Sequence, residues 1–296
     1  MRKADLLMEK GEYFFTNGFS IFVNKVKERF ELPEHVHDFY EICYVVEGSG
    51  FHYVEEETIR VSRGDLFFLP IGVSHIFRPA SADPNKALVI SNCIFDERLF
   101  QFLTSILPDQ FGMYRFREQL LQRDNWLHMR ERSGEFGLVF ASLFEEFQQK
   151  RTGYETMLCG LLLQLFIQME RALESAEAPV YNRMETILRV VRERLGDKMT
   201  LADVSDAVNL GVRQLQRMIA EQLGCSFSEL LLSERINLSC RLLEDAANSR
   251  RSIADIAAAV GMQDVKRFYR VFKEKTGMTP GAYRVGRGSE NFVGFP

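Results

Sequence analysis

The sequence predicts an α+β chain in two parts: an antiparallel β barrel with helices following it, then an all-α domain built from two helix-turn-helix units. Three observations carry this. Up to about Ile94, short apolar runs alternate with turn signals such as Glu47 to Gly50 (EGSG) and Ser62 to Asp65 (SRGD), the spacing of short antiparallel strands. From about Asp96 the apolar period lengthens toward that of a helix, which predicts helices over Glu97–Leu107, Glu135–Gln149 and Thr156–Leu173. The last third repeats itself internally.

Composition bounds the problem. At 296 residues the chain is about twice a usual single-domain length, so two domains are expected. A hydrophobic share of 46% with 26% charged residues excludes a mainly disordered or fibrous protein. No apolar run approaches the roughly 20 residues of a membrane span. Met1 to Lys10 carries Asp5 and Glu9 and has no apolar signal core, so a cytoplasmic chain with no membrane partner is expected. Five widely spaced cysteines (Cys43, Cys93, Cys159, Cys225, Cys240) form no C-x-x-C pair and read as buried thiols, with neither a disulfide framework nor a thiolate zinc site.

The barrel is expected over residues 1–95, with a helical segment over 96–173 that covers it and is a candidate dimer contact. Residues 174–182 read as a linker, because the small, acidic stretch Glu174 to Tyr181 holds Pro179, through which a helix cannot continue. The helix-turn-helix domain follows over 183–288. Charge divides in the same place. Asn182 to Gly288 balances at +5 and Met1 to Tyr181 at −8, so any polyanion is expected to be held by the second part.

The repeat is the most informative feature. Thr200-Leu-Ala-Asp203 and Ser252-Ile-Ala-Asp255 are S/T-x-x-D capping boxes, each opening an apolar-periodic helix. Val204 and Ile256 are expected to point inward, followed by Ala207-Val208 and Ala259-Val260, then breaks at Asn209 and Gly261. A second short helix follows in each copy, with buried stripes Leu215, Met218, Ile219 and Phe268, Val271, Phe272. Each copy closes on a glycine and a fresh cap, Gly224-Cys-Ser226 and Gly277-Met-Thr279-Pro280, proline suiting the first helical position.

A helix-turn-helix presents its second helix to the major groove of double-stranded DNA. The residues left over after burial are Arg213, Gln214, Gln216 and Arg217 in the first copy, and Val265, Lys266, Arg267, Tyr269, Arg270 and Lys273 in the second. Arginine pairs bidentately with guanine, glutamine with adenine, and both basic types hold phosphate. Arg213, Gln214, Arg217, Lys266, Arg267 and Arg270 are therefore the candidate DNA contacts. The plainer reading, solvated faces of structural helices, is disfavoured by two matched copies that each carry basic residues there.

The region from about Arg183 to Arg287 resembles the C-terminal DNA-binding domain of the AraC/XylS family of bacterial transcription regulators, closest over Ile253 to Arg284 (IADIAAAVGMQDVKRFYRVFKEKTGMTPGAYR). The resemblance implies one long bridging helix, here Phe227 to Asp245, and two major-groove insertions by each subunit. Two positions depart from the family pattern: Gly211 stands where a serine cap is usual, and Met262 where phenylalanine is usual. Glycine is a weaker cap than serine by roughly a few tenths of a kcal/mol, so the first recognition helix is the one expected to fray.

In the acidic front half, His35-Val-His37-x3-Glu41-x6-Gly48 is followed by Gly64-x5-Pro70-x-Gly72-x2-His75. On one extended strand residues 35, 37, 39 and 41 share a face. His35, His37 and Glu41, completed by His75, make a set that suits iron, manganese, nickel or zinc. The spacing is similar to both cupin motifs, which implies these four as metal ligands, although Pro79 stands where the second motif often ends in asparagine. The other reading gives the same residues, with Phe39, to a small organic effector such as a sugar, held by hydrogen bonds. The strand's other face (Val36, Asp38, Tyr40, Ile42, Tyr44, Val46) is largely apolar and is expected to be covered by Leu161, Leu165, Phe166 and Met169. His52 and His128 read as isolated structural or surface histidines.

The whole points to an effector-controlled DNA-binding regulator and not an enzyme, with an operator, a small-molecule effector, a second subunit and, for an activator, RNA polymerase as partners. Two rivals remain. One is a metal-dependent cupin oxygenase or isomerase with a fused helical adaptor; the other is a ligand-independent DNA-binding protein whose barrel only dimerises.

Overall fold

Strand formation begins where the turn residues place it. Gly48, in the left-handed region (φ 81°), separates β4 (Tyr40–Glu47) from β5 (Ser49–Val54); a Cβ there would lie 2.1 Å from the Ala87 carbonyl oxygen. In the SRGD turn, the Asp65 carboxylate accepts from the Ser62 amide (2.7 Å), joining β6 (Glu57–Ser62) to β7 (Asp65–Leu69). The computed structural model describes residues 6–16, 18–30, 32–80, 87–106, 126–131, 134–175, 183–245 and 248–285. Most of the expected linker, residues 176–182, lies outside the described residues, as does Leu107.

The remaining strands are β1 (Leu7–Glu9), β2 (Ile21–Lys27), β3 (His35–His37), β8 (His75–Pro79), β9 (Val89–Phe95) and β10 (Leu127–Arg130). They form two five-stranded sheets, ordered β1-β3-β8-β5-β6 and β10-β7-β4-β9-β2. Pairing is antiparallel except for the parallel pair β1–β3.

The continuous strand expected from His35 to Val46 is broken. β3 ends at His37 and belongs to the first sheet, whereas β4 starts at Tyr40 and belongs to the second. The bend at Asp38–Phe39 is held by the Asp38 carboxylate, which accepts from the Gly11 amide (2.7 Å), and by the Asp38 amide, which donates to the Glu9 carbonyl (3.2 Å). His35 and Glu41 consequently sit on different sheets. Two-residue alternation along one strand does not bring them together.

In β4 alternation does hold. Tyr40, Ile42 and Tyr44 join the cluster packed under helices, while Cys43 and Val45 face the other sheet in a cluster with Val54, Val61, Phe67 and Phe77. The helices are α1 (Glu97–Ser105), α2 (Glu135–Gln149) and α3 (Tyr154–Ser175). They supply Phe100, Phe140, Leu158, Leu162, Leu165, Phe166 and Met169, all fully or nearly fully buried. Leu161 is only partly buried, and neither Val36 nor Asp38 belongs to this cluster, because both lie before the switch between sheets. Over Tyr154–Leu173, α3 is long and apolar enough to cross a membrane by length and hydropathy, contrary to the expectation that no run reaches that size. Its apolar stripe is occupied against the sheet.

The chain divides into two compact units: residues 2–28 with 34–180, and 181–296 with 29–33 and Met1. Helices 96–173 thus group with the barrel, and the short segment 29–33, between β2 and β3, groups with the helical unit. No composition shift marks that segment in the sequence.

The helical unit contains α4 (Arg183–Glu193), α5 (Leu201–Ala207), α6 (Val212–Leu223), α7 (Phe227–Glu244), α8 (Ile253–Ala259), α9 (Val265–Thr276) and α10 (Pro280–Val285). Both predicted capping boxes form, at Thr200/Asp203 and Ser252/Asp255, and a third forms at Ser226/Glu229. Asn209 (φ 51°) and Gly261 (φ 76°) make the breaks. At Gly261 a Cβ would lie 2.5 Å from the Leu195 carbonyl oxygen, so the turn needs glycine for space as well as for φ. The inward residues differ slightly from the expectation. Ala207 is exposed and Met218 only partly buried, whereas Ser205 is buried and its hydroxyl donates to the Leu210 carbonyl. In the second copy Ile256, Ala257 and Val260 are all buried. α7 serves both copies: Leu230 and Leu231 enter the first core, and Ile236, Cys240 and Leu243 the second.

Candidate functional site

In the helical unit, burial of Leu215 and Ile219 on α6 and of Phe268, Val271 and Phe272 on α9 fixes which side chains face out. Arg213, Gln214, Gln216 and Arg217 are exposed on α6, and Lys266, Arg267, Tyr269, Arg270 and Lys273 on α9, with Val265 half-buried. Arg217 faces Glu221 on its own helix (3.8 Å), which offsets part of the positive charge of α6. In each copy only a short connection, residues 208–211 or 260–264, separates the first helix from the second.

In the barrel, His35 and His75 are cross-strand partners on β3 and β8, with ring centroids 4.4 Å apart. Glu41, at the start of β4 on the opposing sheet, reaches back to them. Its Oε2 lies 3.2 Å from His75 Nε2 and 3.5 Å from His37 Nε2. One donor atom each from His35, Glu41 and His75 lies within 4.8 Å of the others. His37 is fully buried, Glu41 and His75 nearly so. Phe39, also buried, stacks on the His37 ring (4.7 Å between centroids, 11°). The sequence-predicted residues are thus brought together across two sheets.

The tautomer of His37 follows from its neighbours. Its Nδ1 lies 2.6 Å from the Phe39 carbonyl, which can only accept, so Nδ1 carries the proton and donates it. Burial pushes the His37 pKa down to about 3, which keeps the ring neutral and leaves a lone pair on Nε2. That nitrogen and His75 Nε2 are buried, make no hydrogen bond, and converge on Glu41 Oε2. His37 Nε2, which can only accept, therefore faces the Glu41 carboxylate, and His75 Nε2 lies against the same oxygen. Two more carboxyls lie nearby: burial raises Glu9, whose oxygen is 4.0 Å from His35 Nε2, and burial with the nearby Glu41 raises Glu28 to about 8. Such a donor set fits a divalent cation: imidazole nitrogens and a carboxylate are its ligands of choice, and its charge suits the His37 Nε2 lone pair that faces Glu41.

Two histidines that looked isolated in sequence have partners. His128 lies 3.0 Å from the buried Asp65 carboxylate and stacks on Phe67 (4.5 Å, 9°), a structural tie between β10 and β7. His52 is fully buried and sits 3.2 Å from His75. The sequence signal that could have found it is parity. On β5, His52 and Val54 point the same way, and Val54 pairs with His75.

The chain matches the AraC-like ligand binding domain over residues 25–180 and a helix-turn-helix domain over residues 204–285. The HTH-type transcriptional activator RhaR of Yersinia pseudotuberculosis is 27% identical over 293 residues, covering 95% of this chain and 94% of that one. The uncharacterized HTH-type transcriptional regulator YfiF of Bacillus subtilis is 26% identical over 264 residues, covering 84% and 78%. Among solved structures, ToxT from Vibrio cholerae bound to an unsaturated fatty acid is similar at 18% identity with a TM-score of 0.38, covering 92% of this chain and 97% of that one.

Proposed function

The chain belongs to the AraC family of transcription regulators, with a ligand-binding domain and a helix-turn-helix DNA-binding domain and not an enzyme's catalytic role, and on that footing we propose that His35, His37, Glu41 and His75, with Phe39 as a wall, hold its effector. The observation that carries this is the convergence of two unpartnered, buried imidazole nitrogens on one carboxylate oxygen. A cation answers it most directly. Iron, manganese, nickel or zinc suits the nitrogen-rich set, and the bound ion supplies the positive charge that the cluster lacks. Hydroxyl donors of a polar organic effector would meet the same requirement more weakly, because they bring no net charge.

The output is sequence-specific binding to an operator through Arg213, Gln214 and Arg217 on α6 and Lys266, Arg267 and Arg270 on α9. Occupancy changes DNA binding only to the extent that the effector prefers the DNA-competent state. We assign the working form to the cytoplasm as a homodimer, with RNA polymerase as a further partner where the outcome is activation. The barrel over residues 1–95, the helices over 96–173, the linker over 174–182 and the DNA-binding domain over 183–288 divide these tasks.

The test uses full-length protein and duplexes selected from a random pool. Arg267→Ala and Lys266→Ala are each expected to weaken binding and to lower the slope of log affinity against log salt by about 1. Unchanged affinity and slope in both would overturn the assignment of α9. Metal analysis of the purified protein, with DNA binding measured before and after chelation, tests the effector. Stoichiometric iron, manganese, nickel or zinc and a chelator-sensitive affinity are expected; no metal uptake by the chelated protein overturns the cation.

A further inference from the structure

His52 lies outside the motifs that predict the cluster, yet its ring is clamped by two aromatic rings. It stacks face to face on Phe77 (centroids 3.8 Å apart, 7° between planes) and meets Phe67 edge-on (4.3 Å, 83°). The β5–β8 register sets His52 opposite Phe77 and Val54 opposite His75, which carries His52 Nε2 to 3.2 Å from His75 Nδ1. Both rings are buried, and His52 Nδ1 has no hydrogen-bond partner.

Resting on the cation reading above, we propose that His52 is a positioning residue for the cluster: through His75 Nδ1 it fixes the plane of His75, and so aims His75 Nε2 at the space shared with Glu41. A histidine that binds an ion through one ring nitrogen needs the other hydrogen-bonded, since otherwise its tautomer and rotation are free. A carboxylate or a backbone carbonyl usually does this, and His37 uses the Phe39 carbonyl in that way. For His75 the group at hydrogen-bonding distance from Nδ1 is an imidazole. A hydrogen bond between His52 Nε2 and His75 Nδ1 places one proton between them. When it belongs to His75 Nδ1, which then donates to His52 Nε2, His75 Nε2 is left with a lone pair for the ion. When it belongs to His52, His75 carries its proton on Nε2 and cannot bind one. The aromatic clamp of Phe67 and Phe77 keeps the accepting nitrogen of His52 in place, so the ion does not have to order it.

The experiment compares wild type, His52→Phe and His52→Gln as full-length proteins, titrated with Co2+ and followed by its visible absorption bands. Phenylalanine keeps the stack and removes the hydrogen bond. Glutamine returns an amide near the Nε2 position. His52→Phe is expected to lose about 10–100-fold in Co2+ affinity and to shift the bands, with most of both restored in His52→Gln. Equal affinity and identical bands in wild type and His52→Phe overturn the role of His52 while leaving the cation reading standing. No Co2+ binding by wild type overturns both. Should His52→Phe fail to fold, long-range 1H–15N spectra of the Zn2+-loaded wild type decide: a proton on His75 Nδ1 supports the proposal and a proton on Nε2 overturns it.

Discussion

The two helix-turn-helix units share a plan and differ in how they are held and charged. Each opens on a capping box, breaks at a positive-φ residue and buries a stripe of its second helix. Yet α9 starts on Asp264, whose carboxylate accepts from the Arg267 amide (3.0 Å), whereas α6 starts on Gly211 with no side-chain cap. On α9 Lys266, Arg267, Arg270 and Lys273 are exposed, with Lys275 half-buried and Glu274 the opposing charge; α6 offers Arg213 and Arg217, the latter facing Glu221. On the DNA contacts proposed above, the difference implies a division of labour: the second unit would grip phosphate and hold its shape, and the first, with Gln214, Gln216 and less net charge, would contribute more through base edges than through field strength.

The largest effects test the separate cores. Phe268→Ala removes a fully buried ring from the second core and is expected to cost about 3–5 kcal/mol, while Leu215→Ala in the first core costs about 2–5 kcal/mol. Amide hydrogen exchange should show each loss concentrated in its own unit, α8–α9 or α5–α6, with α7 softened by both because it lines both cores. Equal loss of protection in all four helices from either substitution would erase the distinction between the units. A smaller effect tests the grip. Replacing Lys266, Arg270 and Lys273 together by alanine is expected to lower the salt slope of DNA binding by about 2–3, at roughly 0.9 for each phosphate no longer neutralised. Replacing Arg213 and Arg217 should lower it by less than about 2, because Glu221 already offsets one of them. A larger change from the α6 pair would reverse the assignment.

Local chemistry explains how much of this is legible in sequence. Capping boxes, the Asn209 and Gly261 breaks and the αL caps Gly224 and Gly277 are short-range features, written within a few residues of where they act. The relation between His37 and Glu41 is of another kind. Reading 35, 37, 39 and 41 along one strand groups residues that do meet, but by another route, since the chain changes sheets at Asp38–Phe39 and Glu41 approaches from across the barrel. That switch depends on Gly11 and Glu9, far back in the chain, and no window around His35 contains it. His52 and His128 are partnered through the registers of β5 with β8 and β10 with β7 for the same reason. Hydrophobic parity specifies register only after the partner strand is known.

The smallest effects concern the caps, and they test whether the unequal ends of α6 and α9 are a cause of the asymmetry or only its accompaniment. Asp264→Ala removes an N-cap and is expected to cost about 1 kcal/mol. Gly211→Ser runs the other way. Gly211 has ordinary extended angles (φ −68°, ψ 142°), and a Cβ there meets nothing within 4 Å, so serine enters without strain. Its hydroxyl can accept from an N-terminal amide of α6, and the substitution also narrows the unfolded ensemble. The gain is a few tenths of a kcal/mol by the general preference for serine over glycine at this position, read as slower hydrogen exchange in the first turn of α6. If that turn becomes as protected as the first turn of α9 while the salt slope stays unchanged, the fraying expected of α6 is a matter of its cap, and the weaker grip proposed for the first unit is a matter of its charge. Should the slope rise with the cap, the two properties are one, because a helix that frays cannot hold Arg213 against a phosphate.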